Sequence, residues 1–198
     1  QIGEWGGGVE AEGQDAVLVF DDGFGGFLPL SKSDMPCDPL SFIAAGLNPS
    51  PSTLMVMAEG VCIVKQTRRA LFRHWQLAEG KAQPVRSLLA RAARLATEIT
   101  LGTGNPGSLK ALDDVALELI AQGLAAAGSL VSSLRYYRDQ WESHVRKESC
   151  PEDICLERKP APCHNTCPAN IDIPSFIAHL GHGDYRATIE VIRRDNPF

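Results

Sequence analysis

PVRSLLARAARLATEITLG, residues 84–102, decides the fold class. Val85, Leu88, Leu89, Ala92, Leu95, Ala96 and Ile99 recur at three- and four-residue intervals, Arg91 and Arg94 fall off that stripe, and Gly102 supplies a stop. A period near 3.6 makes one apolar face on a helix and cannot be used by a strand, whose faces alternate every two residues. The loop GTGNPG (102–107) follows, after which Leu109, Leu112, Val115, Ala116, Leu119 and Ile120 repeat the stripe up to Gly123. Leu130, Leu134, Tyr137, Trp141 and Val145 form another, and Ala70 to Trp75 one more on the N-terminal side. Residues 66–147 are therefore expected to form a bundle of about four helices around a shared core. Arg68, Arg69 and Arg73 read as a solvated face.

Upstream the period changes. Ala16 to Phe20 (AVLVF) is a short apolar run bounded by Asp15 and by Asp21-Asp22-Gly23, as a buried strand would be. Thr53 to Met57 and Val61 to Val64 are two further runs, and Ala58-Glu59-Gly60 between them fits a hairpin loop. The glycines at Gly6, Gly7, Gly8, Gly23, Gly25 and Gly26 suit tight turns; the strand, G-x-G-x-x-G and helix succession of a phosphate loop is not met, and Pro29 interrupts the place of its helix. Residues 1–65 are expected to be β-rich, so the class is α+β.

Downstream, Lys159-Pro160-Ala161-Pro162 breaks any helix, and two short helices are expected beyond it. Asp172 caps the first, with Pro174 in its first turn and Phe176, Ile177 and Leu180 apolar. Asp184 caps the second, with Tyr185, Ile189 and Ile192 inward. Residues 148–198 form a third unit, a cysteine loop with short helices.

The six cysteines are unevenly placed. Cys150, Cys155, Cys163 and Cys167 fall within one short segment, whereas Cys37 and Cys62 stand apart and are expected to be packed as small apolar residues. Four thiolates on a loop can hold zinc, ligate iron–sulfur clusters or pair as disulfides. The spacing C-x4-C-x7-C-x3-C-P lacks the paired C-x2-C knuckles of zinc ribbons, and its C-x3-C-P end matches the close of a ferredoxin-type run, which favours iron–sulfur. His164 between the last two reads as an exposed loop histidine. A thiol redox enzyme would want a C-x-x-C, which is missing. With 19 basic against 24 acidic side chains the formal charge is −5, which argues against nucleic acid as a partner. No stretch approaches the roughly 20 apolar residues of a bilayer span. A cytoplasmic protein is expected. The start at Gln1 and the end at Phe198 suggest a fragment of something longer.

Two resemblances extend this reading. CHNTCPANIDIPSFIAHLGHGDYRATIEVIRRDNPF, residues 163–198, resembles the N-terminal iron–sulfur domain of the glutamate synthase small subunit and dihydropyrimidine dehydrogenase. That likeness implies 4Fe-4S clusters, with Cys150, Cys155 and Cys163 on one, Cys167 on a second, and the remaining ligands downstream of Phe198. Residues 16–145 resemble the C-terminal half of the flavin-binding subunit of NADH dehydrogenase (complex I), through Gly25-Gly26-Phe27-Leu28-Pro29, Met35-Pro36-Cys37-Asp38, Ser52 to Val64, and Ser133-Leu134-Arg135-Tyr136-Tyr137-Arg138-Asp139 with His144 behind it. This second likeness implies a β-grasp domain followed by a helical bundle bearing a 4Fe-4S cluster on E-S-C-G-K-C-x-P-C-R plus one later cysteine. Here the three ligand positions hold Glu79, Ala82 and Val85, and the later one falls near Ile120. The bundle is expected to have kept its fold and lost its cluster, its site refilled with apolar side chains.

Together the resemblances imply an iron–sulfur electron-transfer segment of a larger flavoprotein oxidoreductase that moves electrons between a pyridine nucleotide and another carrier. FMN, FAD and NAD(P)H would be bound only elsewhere in the parent protein, and other subunits or domains of a complex would be the partners. The alternative is a non-catalytic subunit-docking adaptor whose cysteine loop holds zinc or no metal.

Overall fold

A computed structural model describes residues 16–57, 60–78, 83–123, 127–146, 150, 155, 163, 168–169, 171–181 and 183–195. Two compact units emerge, one ending at Cys155 and the other starting at Leu156.

The first unit opens with three strands, β1 (Val17–Phe20), β2 (Gly26–Pro29) and β3 (Leu54–Met57), all antiparallel in the order β2-β1-β3. Val17 faces Pro29 and Met57, and Phe20 faces Gly26 and Leu54. The central strand is buried along its whole length because both sheet faces are covered, which explains why its sequence is a continuous apolar run and not an alternating one. Leu18, Phe20 and Leu28 meet Ala45 and Leu47 on one face; Val17, Val19 and Phe27 meet Ile63 on the other. Between β2 and β3 lies a short helix, α1 (Pro39–Ala44), capped by Asp38, whose carboxylate accepts from the Ser41 amide and hydroxyl.

Five helices follow: α2 (Ile63–Leu77), α3 (Gln83–Thr100), α4 (Pro106–Ala121), α5 (Ala127–Tyr136) and α6 (Arg138–Arg146). Leu89, Ala92, Leu95, Ala96 and Ile99 of α3 are buried, as their spacing predicts, against Leu71 of α2, Leu112 and Val115 of α4, Leu130 of α5 and Trp141 of α6. Asn105 and Ser108 cap α4 reciprocally, with Pro106 in its first turn. Burial of those fully covered leucines and isoleucines stabilises the bundle by about 1.5–3 kcal/mol each.

Three expectations for this unit are corrected. Val61 to Val64 is not a strand: Ile63 and Val64 open α2, because Cys62 ends the extended segment as an N-cap and the residues beyond it carry a helical stripe. The stripe from Leu130 to Val145 is two helices, not one, which part at Tyr137. Cys37 is exposed and not packed, since it lies in the open turn before the Asp38 cap.

Sheet and bundle are joined through β2 and α5. Ser132 Oγ accepts the buried Phe27 amide at 2.8 Å and donates to the Gly128 carbonyl at 2.6 Å. The approach is close enough that a Cβ on Gly128 would lie 2.7 Å from the Gly25 carbonyl oxygen, and one on Gly26, whose φ is +119°, 2.6 Å from Leu47.

In the second unit α7 (Ile173–Gly181) and α8 (Tyr185–Asp195) are capped by Asp172 and Asp184, as the sequence implies. The inward face of α8 differs from the expected one. Thr188 and Val191 are buried, whereas Tyr185 and Ile189 are 67% and 49% exposed and Ile192 is half-buried. A two-helix unit has room to cover only a narrow stripe, and Thr188 and Val191, three residues apart, occupy it. Among the described residues no helix is long and apolar enough to cross a membrane.

Ser132→Ala would leave the buried Phe27 amide without its acceptor and is predicted to destabilise the first unit by about 1–3 kcal/mol. Chemical denaturation would measure this, and an unchanged midpoint would contradict the assigned role.

Candidate metal centre

Cys62, at the junction of sheet and bundle, is fully buried and is the N-cap of α2, its sulfur 3.4 Å from the Lys65 amide. The N-terminus of a helix favours negative charge on a side chain placed there, so the position suits a thiolate. Gln140 of α6 clamps the backbone on both sides of this residue. Its Oε1 accepts from the Ile63 amide at 2.8 Å and its Nε2 donates to the Val61 carbonyl at 3.5 Å.

One turn farther along α6, His144 is buried beside the clamp, and its Nδ1 lies 2.7 Å from the Gln140 carbonyl. A carbonyl can only accept, so Nδ1 carries a proton and Nε2 is turned toward the sulfurs. Nε2 stands 3.5 Å from Cys62 Sγ and 3.5 Å from Cys155 Sγ, and the two sulfurs are 3.7 Å apart. Cys150, half-buried, closes the group: the three sulfurs and the imidazole nitrogen all lie within 4.8 Å of one another. The helix that carries His144 is itself anchored by Arg138, whose guanidinium forks onto both oxygens of Asp113 on α4 at 2.6 and 3.0 Å.

The group is strongly polarised. Cys155 is held well below the usual thiol range, first by its hydrogen bond with Cys62 and then by His144 and Cys150, against the opposing effect of burial. Cys62 is pushed the other way by that same shared hydrogen bond and by burial. Three sulfurs and a nitrogen crowded around one point need positive charge among them, supplied by protons or by a cation. The donor set, three thiols and an imidazole without a carboxylate, suits a borderline or soft metal ion.

The sequence-predicted ligands are thereby distributed. Cys150 and Cys155 are brought together, in the first unit. Cys163, in the second, is exposed, and Cys167 and His164 lie outside the described residues. Cys62 and His144 join Cys150 and Cys155, although the isolation of Cys62 in the sequence suggests only a packed thiol; its place directly ahead of a helical stripe is the signal that could have found it. On the bundle, Val85 is half-buried against the apolar core, while Ile120 is 51% exposed and fills nothing. It lies on the outward side of the last turn of α4. Glu79 and Ala82 lie outside the described residues. With no cysteine anywhere from residue 63 to 149, a 4Fe-4S cluster does not fit the bundle at those positions.

Comparison with known proteins agrees with both resemblances. Residues 139–198 match the family model for dihydropyrimidine dehydrogenase domain II, a 4Fe-4S cluster domain. The F subunit of NADH-quinone oxidoreductase in Streptomyces coelicolor is 30% identical over 125 residues, covering 61% of this chain and 28% of that protein. The Mycobacterium tuberculosis protein of the same name is 27% identical over 127 residues, covering 61% of this chain, and the Rhizobium meliloti F 2 subunit is 26% identical over 130, covering 63%. The chain spans about 28% to 31% of the length of these curated relatives.

Gln140→Ala, which removes both backbone bonds flanking Cys62, is predicted to cost about 1–3 kcal/mol in a denaturation experiment. Gln140→Glu, which keeps an acceptor for the Ile63 amide, should recover part of that loss. Equal stability of all three proteins would show that the clamp is not holding the junction.

Proposed function

We propose that this chain is an iron–sulfur electron-transfer segment of a larger NADH-linked flavoprotein oxidoreductase. The match of residues 139–198 to a 4Fe-4S domain, over a segment that contains Cys163-x3-Cys167-Pro168, carries this reading. The similarity to the F subunit of NADH-quinone oxidoreductase supports a parent protein that handles a pyridine nucleotide and flavin outside residues 1–198.

A bound 4Fe-4S cluster supplies a one-electron carrier, and outer-sphere transfer asks only that the protein hold it in place. Cys163 and Cys167 are the residues of this chain assigned to such clusters, one to each, Cys163 being an exposed thiol, with the further ligands elsewhere in the parent protein. The proline after Cys167 restricts the backbone conformations open to that residue. The three-stranded sheet and the bundle act as scaffold and as docking surface for other subunits or domains of the complex.

Iron and acid-labile sulfide, measured in the parent protein purified without oxygen, should fall in Cys163→Ser and in Cys167→Ser and stay constant in Cys37→Ser. A parent protein free of iron, or equal losses in all three variants, would refute the reading.

A further inference from the structure

We propose that Cys62, His144, Cys150 and Cys155 form a closed mononuclear zinc site, distinct from any iron–sulfur cluster of the tail. The distances carry the inference. A regular tetrahedron with edges like the 3.5, 3.5 and 3.7 Å measured among Cys62 Sγ, Cys155 Sγ and His144 Nε2 has its centre roughly 2.2 Å from each corner. Zinc binds thiolate sulfur at about 2.3 Å and imidazole nitrogen at about 2.0–2.1 Å, so the triangle is already one face of its coordination shell, which Cys150 completes. A 4Fe-4S cluster takes one ligand at each of four separated irons, which spreads the ligand atoms far more widely than the 4.8 Å that contains this whole group.

The surroundings favour the same assignment. With its Nδ1 proton committed to the Gln140 carbonyl, neutral His144 has its lone pair on Nε2, the orientation a metal-binding histidine takes from a partner on its other nitrogen. Binding releases the thiol protons and leaves three thiolates and the dication with one net negative charge. The Lys65 amide and the N-terminus of α2 lie against that charge. Cys62, Cys155 and His144 are 0%, 2% and 1% exposed, so a filled site has no open position for water or substrate. Its role is structural: it fastens the Cys150 to Cys155 segment to α2 and α6. Simple thiol packing gives no reason for Cys62 to meet, 82 residues away, a buried imidazole that two further sulfurs also face.

This assignment is independent of the iron–sulfur reading and can fail without it. Metal analysis of the parent protein, purified without added metal, should find one zinc ion per chain at this site. Zinc should fall at least about tenfold in Cys62→Ser and Cys155→Ser with iron unchanged. Where the serine variants fail to fold, His144→Cys keeps four ligands and should retain zinc, and with cobalt(II) in its place should show stronger sulfur-to-metal charge-transfer absorption than the wild type. Three results would overturn the assignment: a parallel loss of iron and sulfide in Cys62→Ser, undiminished zinc in both Cys62→Ser and Cys155→Ser, or a Cys62–Cys155 disulfide in the protein as isolated.

Discussion

The first unit depends on how the start of α2 meets α6. At this junction the chain passes from one hydrophobic core to another within a single peptide step: Ile63 is fully buried against the sheet, while Cys62 and Val64 are fully buried among the helices. Such a crossing exposes backbone groups that have no helical or sheet partner, and Gln140 supplies two of the missing bonds. His144 follows on the same helix face, four residues on, so the side chain that braces the junction and the one that faces the sulfurs are set by one helical turn. The metal group is a consequence of that geometry.

Sheet and bundle resemble part of a flavin-binding subunit of NADH-quinone oxidoreductase, and the tail resembles a ferredoxin-like domain of a different enzyme class. The cysteines follow this division only in part. In the bundle, the segment where the resemblance calls for cluster ligands offers one carboxylate and two aliphatic side chains, and Val85 lies against the core. We assign electron carriers to the tail, while Cys62, Cys150 and Cys155, three of the four cysteines of the first unit, gather at the base of α2. Cys150 and Cys155, which spacing alone groups with Cys163 and Cys167, sit with the bundle, so the four-cysteine segment is divided between the two units.

Long, strongly periodic features were legible in the sequence. The stripes of α3 and α4, the buried strand β1, and the aspartate caps of α7 and α8 follow from local patterns that tertiary packing reinforced. Features fixed by contacts between distant residues were not. Val61 to Val64 has the composition of a strand, yet the helical run beyond it and the Gln140 clamp, 77 residues away from Ile63, make its second half a helix. β2 is hidden by Gly26 at its start, which serves the close approach of Gly128 and Ser132. Cys62 and His144 lie 82 residues apart, so their pairing is a property of the fold and left no motif for spacing to detect.

X-ray absorption at the zinc edge of the parent protein tests the central claim most directly. Three sulfurs at about 2.3 Å and one nitrogen at about 2.0–2.1 Å are predicted, with the nitrogen replaced by a fourth sulfur in His144→Cys. A zinc-free protein, or a zinc shell of oxygen ligands unaffected by His144→Cys, would contradict it.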